Sequence, residues 1–397
     1  MHRKFSLIVL SLFILFISAF KYNMSNELGP EIKIGVLIPL CHEYGKSIKQ
    51  GMDLAVKEIN EKGLWGGRKL KLIYEDSAFN PKQSIIKTKK LLARDKVNFF
   101  IGGLTSGVTK AISGIVKKYK PIMVWGGATW TGVEKLFIDQ NWFFHLHPWS
   151  YHNDSASINY MKYLNVKTVA FLYKSGEFGS YIFRKAERLI KNTNLKVVFN
   201  FPFEKIHKKN NPILLKMKSI NPDALYIICY SKDIIPLFLK MRNLNINTKM
   251  IYIASPGWPK NFPNMSVSEY ISALTLWAPG VKNKASRIFV RKFQAEYNRT
   301  PQLYWAPMGY VNVKVLARAI KRAGSLDRNK IIKALEKTNM KTPMGRLTFK
   351  PSRYIKHQGF TKWMSFQWRK GKMKVVYPKR FARVKLVYPM PKWSERE

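Results

Sequence analysis

IKIGVLIPLCHEYGKSIKQGMDLAVKEINEKGLWGGRKLKLIYED, residues 32–76, predicts a strand, a polar loop, an amphipathic helix, a Gly-rich turn and a second strand. The first strand is a nearly continuous apolar run from Ile32 to Ile38, which is typical of a strand buried on both faces of a parallel sheet. The loop at residues 41–47 follows the carboxyl end of that strand, where open parallel sheets bind their ligands. This unit therefore predicts a ligand-binding α/β protein.

The alternation of strands and helices continues along the chain in two sets. Further strands are predicted at residues 97–101 and 122–125 in the first set, and at residues 168–173, 196–201, 224–229 and 249–254 in the second. Regular alternation of this kind favours a parallel sheet with helices on both faces. We therefore expect two doubly wound, Rossmann-like α/β lobes, with a small ligand bound between them by hinge closure.

The composition is that of a folded, strongly basic protein. With 397 residues and 46% hydrophobic content, the chain can bury the cores of two lobes. The 70 Lys and Arg against 23 Asp and Glu give a net charge of +47, but the basic residues are spread along the whole chain. This distribution indicates a global surface bias and not a dedicated nucleic-acid site. We expect no nucleic-acid partner, although anionic partners, including lipid headgroups, are favoured at low salt.

Residues 1–25 have the pattern of a targeting segment. A short basic region at residues 2–4 precedes an apolar run from Phe5 to Phe20, as in a secretory signal. Two outcomes stay open, cleaved export and retention as an N-terminal membrane anchor, and either one predicts a periplasmic or extracytoplasmic protein. Such a protein could oxidise its two cysteines, Cys41 and Cys229, but their wide separation in the sequence favours two free thiols.

Several motifs occur in the order and at the spacing of one known family. They are QGMDLAVKEINEKG and GGRKLKLIYEDSAFNPKQS near the start, IGGLTSGVT and WGGAT further on, and GRLTFKPSRYIKHQGF near the end. With these motifs the chain resembles the type I periplasmic solute-binding proteins of ABC transporters, the Leu/Ile/Val-binding-protein-like family. The resemblance implies an extracytoplasmic, monomeric component of an ABC importer, with a membrane permease as partner and without enzyme activity or cofactor. It leaves open a ligand sensor of the same fold.

The resemblance also implies how the chain is divided and what it binds. Lobe one would hold residues 30–148 plus 279–343, and lobe two would hold residues 149–278 plus 344–397, with three chain crossings as the hinge. The ligand would be a small polar molecule: a branched-chain amino acid, an amide, a urea-like molecule or an aromatic acid.

In this family, two loops of lobe one hold a carboxylate or carbonyl of the ligand. The matching positions here are Thr105 and Ser106 in one loop and Gly127, Ala128 and Thr129 in the other. The chemistry suits an anion, because the first loop opens a helix, whose first N–H groups are free and carry partial positive charge. The alternative is that Ser106 and Thr129 merely cap helices.

Aromatic side chains usually complete the cleft wall in the family. Tyr230 matches a ligand-contacting tyrosine, Tyr44 matches a bulky position in the first loop, and Phe178 stands where relatives often carry tyrosine. Trp258 and Trp130 are further candidates, for which ordinary packing at the lobe rim is the alternative.

One departure from the family pattern bears on the ligand. Relatives that bind amino acids place a carboxylate of lobe two against the ligand's ammonium, whereas the matching loop here, residues 254–258, contains no acid. Glu177 or Asp233 could substitute, although neither is at the matching position. An unpaired ammonium in a closed cleft would be costly. An amide, a urea-like molecule or a carboxylate with an apolar or aromatic body is therefore at least as well supported as leucine or valine.

Neither a metal site nor a catalytic site is expected. Histidines at residues 145, 147 and 152 are close in sequence, but no neighbouring acid or Cys completes a set of metal ligands. The sequence contains no GxSxG, Walker A, HExxH or GxGxxG pattern. A binding protein therefore explains the sequence better than an enzyme does.

Overall fold

The computed structural model describes residues 31–204, 211–255, 257–301 and 303–396, so the predicted targeting segment at residues 1–25 lies outside it. The strands are β1 (Glu31–Ile38), β2 (Lys69–Asp76), β3 (Phe99–Gly102), β4 (Ile122–Trp125), β5 (Phe143–His145), β6 (Thr168–Lys174), β7 (Lys196–Phe203), β8 (Ala224–Ile228), β9 (Met250–Ala254), β10 (Ser272–Thr275), β11 (Asn339–Thr342), β12 (Gly345–Thr348), β13 (His357–Gln358), β14 (Met364–Arg369) and β15 (Lys372–Tyr377). The α-helices are α1 (Glu43–Lys62), α2 (Pro81–Lys89), α3 (Ser106–Tyr119), α4 (Thr131–Leu136), α5 (Ser150–Tyr163), α6 (Glu177–Ile190), α7 (Asn211–Ile220), α8 (Ser231–Asn243), α9 (Lys284–Tyr297), α10 (Trp305–Ala323) and α11 (Arg328–Glu336). Across these described ranges, no helix combines the length and the apolarity that a membrane span requires.

The first lobe is built on a parallel sheet in the order β13-β5-β4-β3-β1-β2. Its central strands are buried on both faces, as their continuous apolar sequences predict. Because the strands are parallel, their carboxyl ends at Ile38, Gly102, Trp125 and His145 share one edge. The loops that leave this edge carry the residues expected to bind the ligand.

The second lobe is built on a sheet in the order β15-β14-β10-β9-β8-β6-β7. Strands β10, β9, β8, β6 and β7 are parallel, whereas β14 and β15 are antiparallel and close one side of the sheet. The carboxyl ends of β6, β8 and β9 again share one edge, at Lys174, Ile228 and Ala254. The prediction of two doubly wound α/β lobes is confirmed.

The chain passes between the two sheets three times, after β5, after β10 and after β13, but the last passage differs from the predicted boundary at residue 344. Strand β13 pairs with β5, with His357 opposite Phe144, and so belongs to the first sheet. The third crossing therefore falls between Gln358 and Met364. A strand of two residues has no periodic pattern, and only its pairing reveals its lobe.

Both cysteines are free thiols, in agreement with the expectation from sequence. Cys41 is exposed in the loop after β1, and Cys229 is buried directly after β8. Burial raises the pKa of the Cys229 thiol well above its ordinary value. The two residues therefore differ strongly in their access to oxidants.

Candidate ligand-binding site

The first cleft loop, between β1 and α1, is fixed by side chains at both of its ends. The Leu40 N–H donates to the Asp76 carboxylate at 2.8 Å, which ties the loop to the end of β2. His42 caps α1, and its Nδ1 accepts a hydrogen bond from the Tyr44 N–H at 3.3 Å. Tyr44 is thereby held in the first turn of α1, at the edge of the sheet.

Tyr44 reaches across the cleft to the second lobe. Its half-buried ring stacks on Trp305 with 6.2 Å between ring centroids. Its hydroxyl lies so close to Gly257, in the loop after β9, that a Cβ at position 257 would overlap it. Burial raises the pKa of Tyr44 to about 12, so the hydroxyl stays protonated at neutral pH. This contact shows that the carboxyl edges of the two sheets face each other.

The loop after β3 forms the capped start of helix α3. Thr105 is the N-cap residue, and its hydroxyl accepts a weak hydrogen bond from the Val108 N–H at 3.5 Å. The N–H groups of Ser106 and Gly107, in the first turn, have no acceptor within the helix. Thr105 therefore has a capping role, and the start of α3 presents donors at the cleft edge.

Ser106 joins the loops after β3 and β4, the two loops of the first lobe that are expected to hold the ligand. Its Oγ accepts hydrogen bonds from the Thr129 N–H at 3.2 Å and from the Trp130 N–H at 3.1 Å. A hydroxyl has two acceptor lone pairs and one donor. Because both lone pairs of Ser106 are occupied, its proton is left to donate. The cap of α3 is Thr105, whereas Ser106 is a potential hydrogen-bond donor that the neighbouring loop holds in place.

The loop after β4 is shaped by close packing on the loop after β3. A Cβ at Gly127 would lie 2.5 Å from the Leu104 Cα, and the Ala128 N–H donates to the Leu104 carbonyl at 3.1 Å. The Nε2 of His145 lies 2.8 Å from the Gly127 carbonyl oxygen and donates to it. The N–H groups of Ala128 and Thr129 thus have acceptors within the protein. The exposed Thr129 side chain is the polar group that this loop offers to a ligand.

The histidines near the first crossing have structural partners. His145 is fully buried and stacks on Trp149 with 3.8 Å between centroids, and its Nδ1 lies 3.2 Å from the Gln358 Oε1. His147 is also buried, and its Nε2 lies 3.3 Å from the Tyr304 hydroxyl. Burial lowers the pKa of His145 to about 4 and that of His147 to about 3, so both rings are neutral at pH 7. In the part of the chain that the structure describes, no three His, Cys, Asp or Glu side chains group as a metal site.

The second lobe brings an internal ion pair to its edge of the cleft. Lys174, at the end of β6, lies 3.2 Å from the Asp233 carboxylate in the first turn of α8, and the two side chains are 13% and 8% exposed. The other Asp233 oxygen accepts a hydrogen bond from the Tyr230 N–H at 3.2 Å. Asp233 is therefore already neutralised, and it is a poor partner for a ligand ammonium. The Glu177 side chain lies outside the described part of the chain.

The three aromatic candidates of the second lobe differ in their surroundings. Tyr230, at the N-cap of α8, is 38% exposed. Trp258 stacks on Phe262 and meets Trp368 edge-on, each with 5.4 Å between centroids. This packing supports a structural role for Trp258 within its own lobe. Phe178 lies in the first turn of α6, and its side chain is outside the described part of the structure.

Comparison with known proteins identifies this architecture. Residues 31–372 match the family described as periplasmic binding protein. This chain belongs to that family. The Leu/Ile/Val-binding protein homolog 2 of Brucella abortus is 24% identical over 352 residues, which cover 86% of this chain and 91% of the relative.

Solved structures agree with the family assignment. LivJ of Streptococcus pneumoniae, determined in complex with isoleucine, gives a TM-score of 0.72 at 22% identity and covers 88% of this chain and 100% of its own. A solute-binding protein of an ABC transporter from R. palustris, determined with benzoate, gives a TM-score of 0.72 at 18% identity and covers 89% and 98%. At these identities the likeness establishes the fold. Family membership makes this chain an extracytoplasmic solute-binding protein of type I and not an enzyme.

This periplasmic binding protein also has cleft residues that sequence reasoning missed. Tyr304 is the N-cap of α10 and Trp305 is its first residue, and the two rings pack together with 4.5 Å between centroids. His147 stacks on Trp305 at 5.6 Å and meets Trp363 edge-on at 5.5 Å. With Tyr44 they form an aromatic cluster beneath the first cleft loop. Two adjacent aromatic residues at the start of an apolar helix were the available signal.

Proposed function

We propose that this protein is the extracytoplasmic component of an ABC importer, which closes on a small carboxylate with an uncharged apolar or aromatic body and delivers it to a membrane permease. The observation that carries the proposal is the Ser106 hydroxyl, which the neighbouring loop leaves with only its proton to offer. The protein would act as a monomer. Residues 1–25 would export it, either as a cleaved signal or as an anchor.

In the first lobe, the ligand carboxylate would meet three kinds of donor. The Ser106 hydroxyl, the Thr129 hydroxyl and the first N–H groups of α3 belong to loops that Ser106 itself joins. The partial positive charge at the start of α3 adds a favourable interaction with an anion. Gly127 and Ala128 shape the second loop, and Thr105 caps the helix. Support also comes from two structures of the same fold, whose bound isoleucine and benzoate both carry a carboxylate.

In the second lobe, the described side chains favour an uncharged ligand body. Asp233 is paired with Lys174, so an ammonium brought against this wall would gain no free carboxylate from it. Burying an unpaired ammonium is costly, whereas an apolar or aromatic body would pack on Tyr44 and Tyr230. Phe178 would extend this wall, whereas Trp258 packs on Phe262 within its own lobe. We therefore favour an aromatic or apolar acid over a branched-chain amino acid.

The test is a binding titration by calorimetry with benzoate, benzamide and leucine. We expect benzoate, or a substituted benzoate, to bind most tightly, and Ser106→Ala to weaken it by roughly ten- to a hundredfold, as for a hydrogen bond to a charged group. Ser113→Ala is the matched control, because this serine lies on the same helix and its hydroxyl donates to the Lys110 carbonyl. If leucine binds best and Glu177→Gln abolishes its binding, the ligand is an amino acid.

A further inference from the structure

A groove on the second lobe lies outside the proposed ligand site. It has a volume of about 740 Å³ and runs between the β14–β15 hairpin and the backbone of residues 384–389. Gln367 fixes this backbone on the hairpin, because its amide group donates to the Val387 carbonyl at 2.9 Å and accepts from the Val387 N–H at 3.1 Å. We call this feature the C-terminal groove, lined by residues 369, 370, 372, 374 and 384–389.

One side of the C-terminal groove is cationic. Arg369 lies opposite Lys372 in the antiparallel pair, and Lys374 lies opposite Gln367. Arg369 is paired with Glu269 at 3.4 Å. Within the described residues, the side-chain ammonium groups of the groove's four lysines, at positions 370, 372, 374 and 385, have no carboxylate partner within 4.0 Å, although the Lys370 backbone N–H donates to Glu269. The groove therefore has a local excess of positive charge.

This charge is concentrated well beyond the general bias of the chain. Residues 369–385 contain no acidic residue and the basic residues Arg369, Lys370, Lys372, Lys374, Lys379, Arg380, Arg383 and Lys385. These seventeen positions carry eight positive charges, against a net charge of +47 over all 397 residues. The surface charge of this protein is thus not uniform, and the C-terminal groove is one of its centres.

The other side of the groove is apolar and aromatic. It is lined by Val384, Leu386, Tyr388 and Pro389, and the first three of these are half-buried. Aromatic rings with a polar tip favour the boundary between water and hydrocarbon, and lysines beside them attract anionic headgroups. Cations beside a partly exposed apolar and aromatic rim match the headgroup region of an anionic bilayer.

We propose that the C-terminal groove docks this protein on a membrane surface rich in anionic phospholipid. A bilayer fits the geometry better than a single phosphate does. The Cα atoms of Lys372 and Lys374 are about 7 Å apart along β15. The Cα atom of Arg369, on the neighbouring strand β14, lies about 5 Å from that of Lys372. Cations spread over a hairpin and a separate segment suit several neighbouring headgroups. Docking here would keep an extracytoplasmic binding protein near the membrane without using its ligand cleft.

The test measures partition of the full chain onto vesicles of phosphatidylglycerol in phosphatidylcholine, with pure phosphatidylcholine vesicles as the reference. The triple variant Lys372→Gln, Lys374→Gln and Lys385→Gln should bind the anionic vesicles about a hundredfold more weakly, given the usual contribution of each lysine near a charged surface. The matched control is Lys62→Gln, Lys82→Gln and Lys117→Gln, which removes the same charge from exposed positions of the first lobe. It should bind almost as the parent does.

Equal losses in the two triple variants would overturn the proposal, because net charge alone would then explain binding. Equal binding to both kinds of vesicle would also overturn it. The lysines would then serve only to prevent the edge strand β15 from pairing with another chain. Inorganic phosphate should compete no better than sodium chloride of the same ionic strength; stronger competition would make the groove a site for a soluble anion. Lys385→Gln alone, at an exposed position, should weaken vesicle binding about fivefold.

Discussion

In the first lobe, the Ser106 hydroxyl accepts two backbone hydrogen bonds from the neighbouring loop and keeps its proton for an outside acceptor. In the second lobe, Lys174 and Asp233 satisfy each other at the corresponding sheet edge. The first wall of the cleft therefore has a hydroxyl free to donate to a ligand, whereas the charged groups of the second wall pair with each other. An anion gains directed donors from the first wall and a neutral surface from the second.

This difference assigns separate roles to the lobes. The first lobe holds its donors in position through contacts within the same lobe, so in the proposed function it would bind the carboxylate before closure. The second lobe would then add shape and exclude water, which strengthens the hydrogen bonds already made. At the Tyr44–Gly257 contact the two walls meet with no room for an added methyl group.

The largest effect should come from breaking the ion pair of the second lobe. Lys174→Met leaves the Asp233 carboxylate mostly buried without its partner, and we expect a loss of about 3 kcal/mol in the free energy of unfolding. Urea denaturation measures this loss. Lys249→Met is the matched control, because its pair with Asp223 has a lysine side chain that is 59% exposed and should contribute less than about 1 kcal/mol. Similar losses in both variants would contradict the conclusion that Lys174 neutralises a mostly buried Asp233 in the second lobe.

A second prediction concerns His145, which orients the Gly127 carbonyl in the first lobe. Its pKa is about 4 in the folded protein, below the ordinary value of 6.5, because burial disfavours the charged ring. The unfolded chain therefore takes up a proton that the folded protein refuses, and stability falls as the pH drops from 6.5 toward 4.

Replacement of the His145 ring should remove its share of this pH dependence. We expect the free energy of unfolding of His145→Gln to fall about 2 kcal/mol less than that of the parent between about pH 7 and about pH 5. Urea denaturation at both pH values gives the two slopes. If the free energy of unfolding falls equally in the parent and in His145→Gln, the His145 ring has the same pKa in the folded and unfolded states, and its burial has no effect on its protonation.

Gly257→Ala should affect binding more than stability, since the clash arises where the walls meet. The new Cβ would overlap the Tyr44 hydroxyl, and we expect ligand affinity to fall about ten- to a hundredfold, as for an overpacked contact. Calorimetry measures the affinity. Gly114→Ala, on the exposed side of α3 with open space around it, should leave affinity unchanged. Tyr44→Phe added to Gly257→Ala removes the overlapping hydroxyl and keeps the ring that packs on the ligand, so it should restore part of the lost affinity.

The sequence predicts local features of this cleft well and paired features poorly. Strand β4 is found at its predicted bounds, because four buried apolar residues lie between Pro121 and Gly126. Tyr44 was expected at the cleft, but its partner Gly257 is 213 positions away and carries no side chain to signal a contact. Such features depend on topology, which a hydrophobic pattern does not encode.

The same limit explains the two misread positions. Asp233 was considered as a partner for a ligand ammonium, and only the parallel pairing of β6 and β8 brings Lys174 beside it. Residues 344–397 were expected in the second lobe, whereas β13 pairs with β5 of the first sheet, and a strand of two residues shows no period that could predict this. Ser106 was identified by its loop, yet its donor role follows from two backbone bonds that arise in the folded chain.

The smallest effect should come from the hydroxyl of Thr129, which sharpens the contrast within the first wall. Ser106 both donates and joins the loops, whereas the exposed Thr129 side chain can only add a donor. Thr129→Val should therefore weaken benzoate binding about fivefold, the usual effect of one hydrogen bond, while Thr129→Ser retains it. Calorimetry with both variants measures the difference. If Thr129→Val weakens binding as much as Ser106→Ala does, the loop after β4 contributes as much to ligand binding as the start of α3. The two hydrogen bonds that Ser106 accepts would then give it no special role in binding.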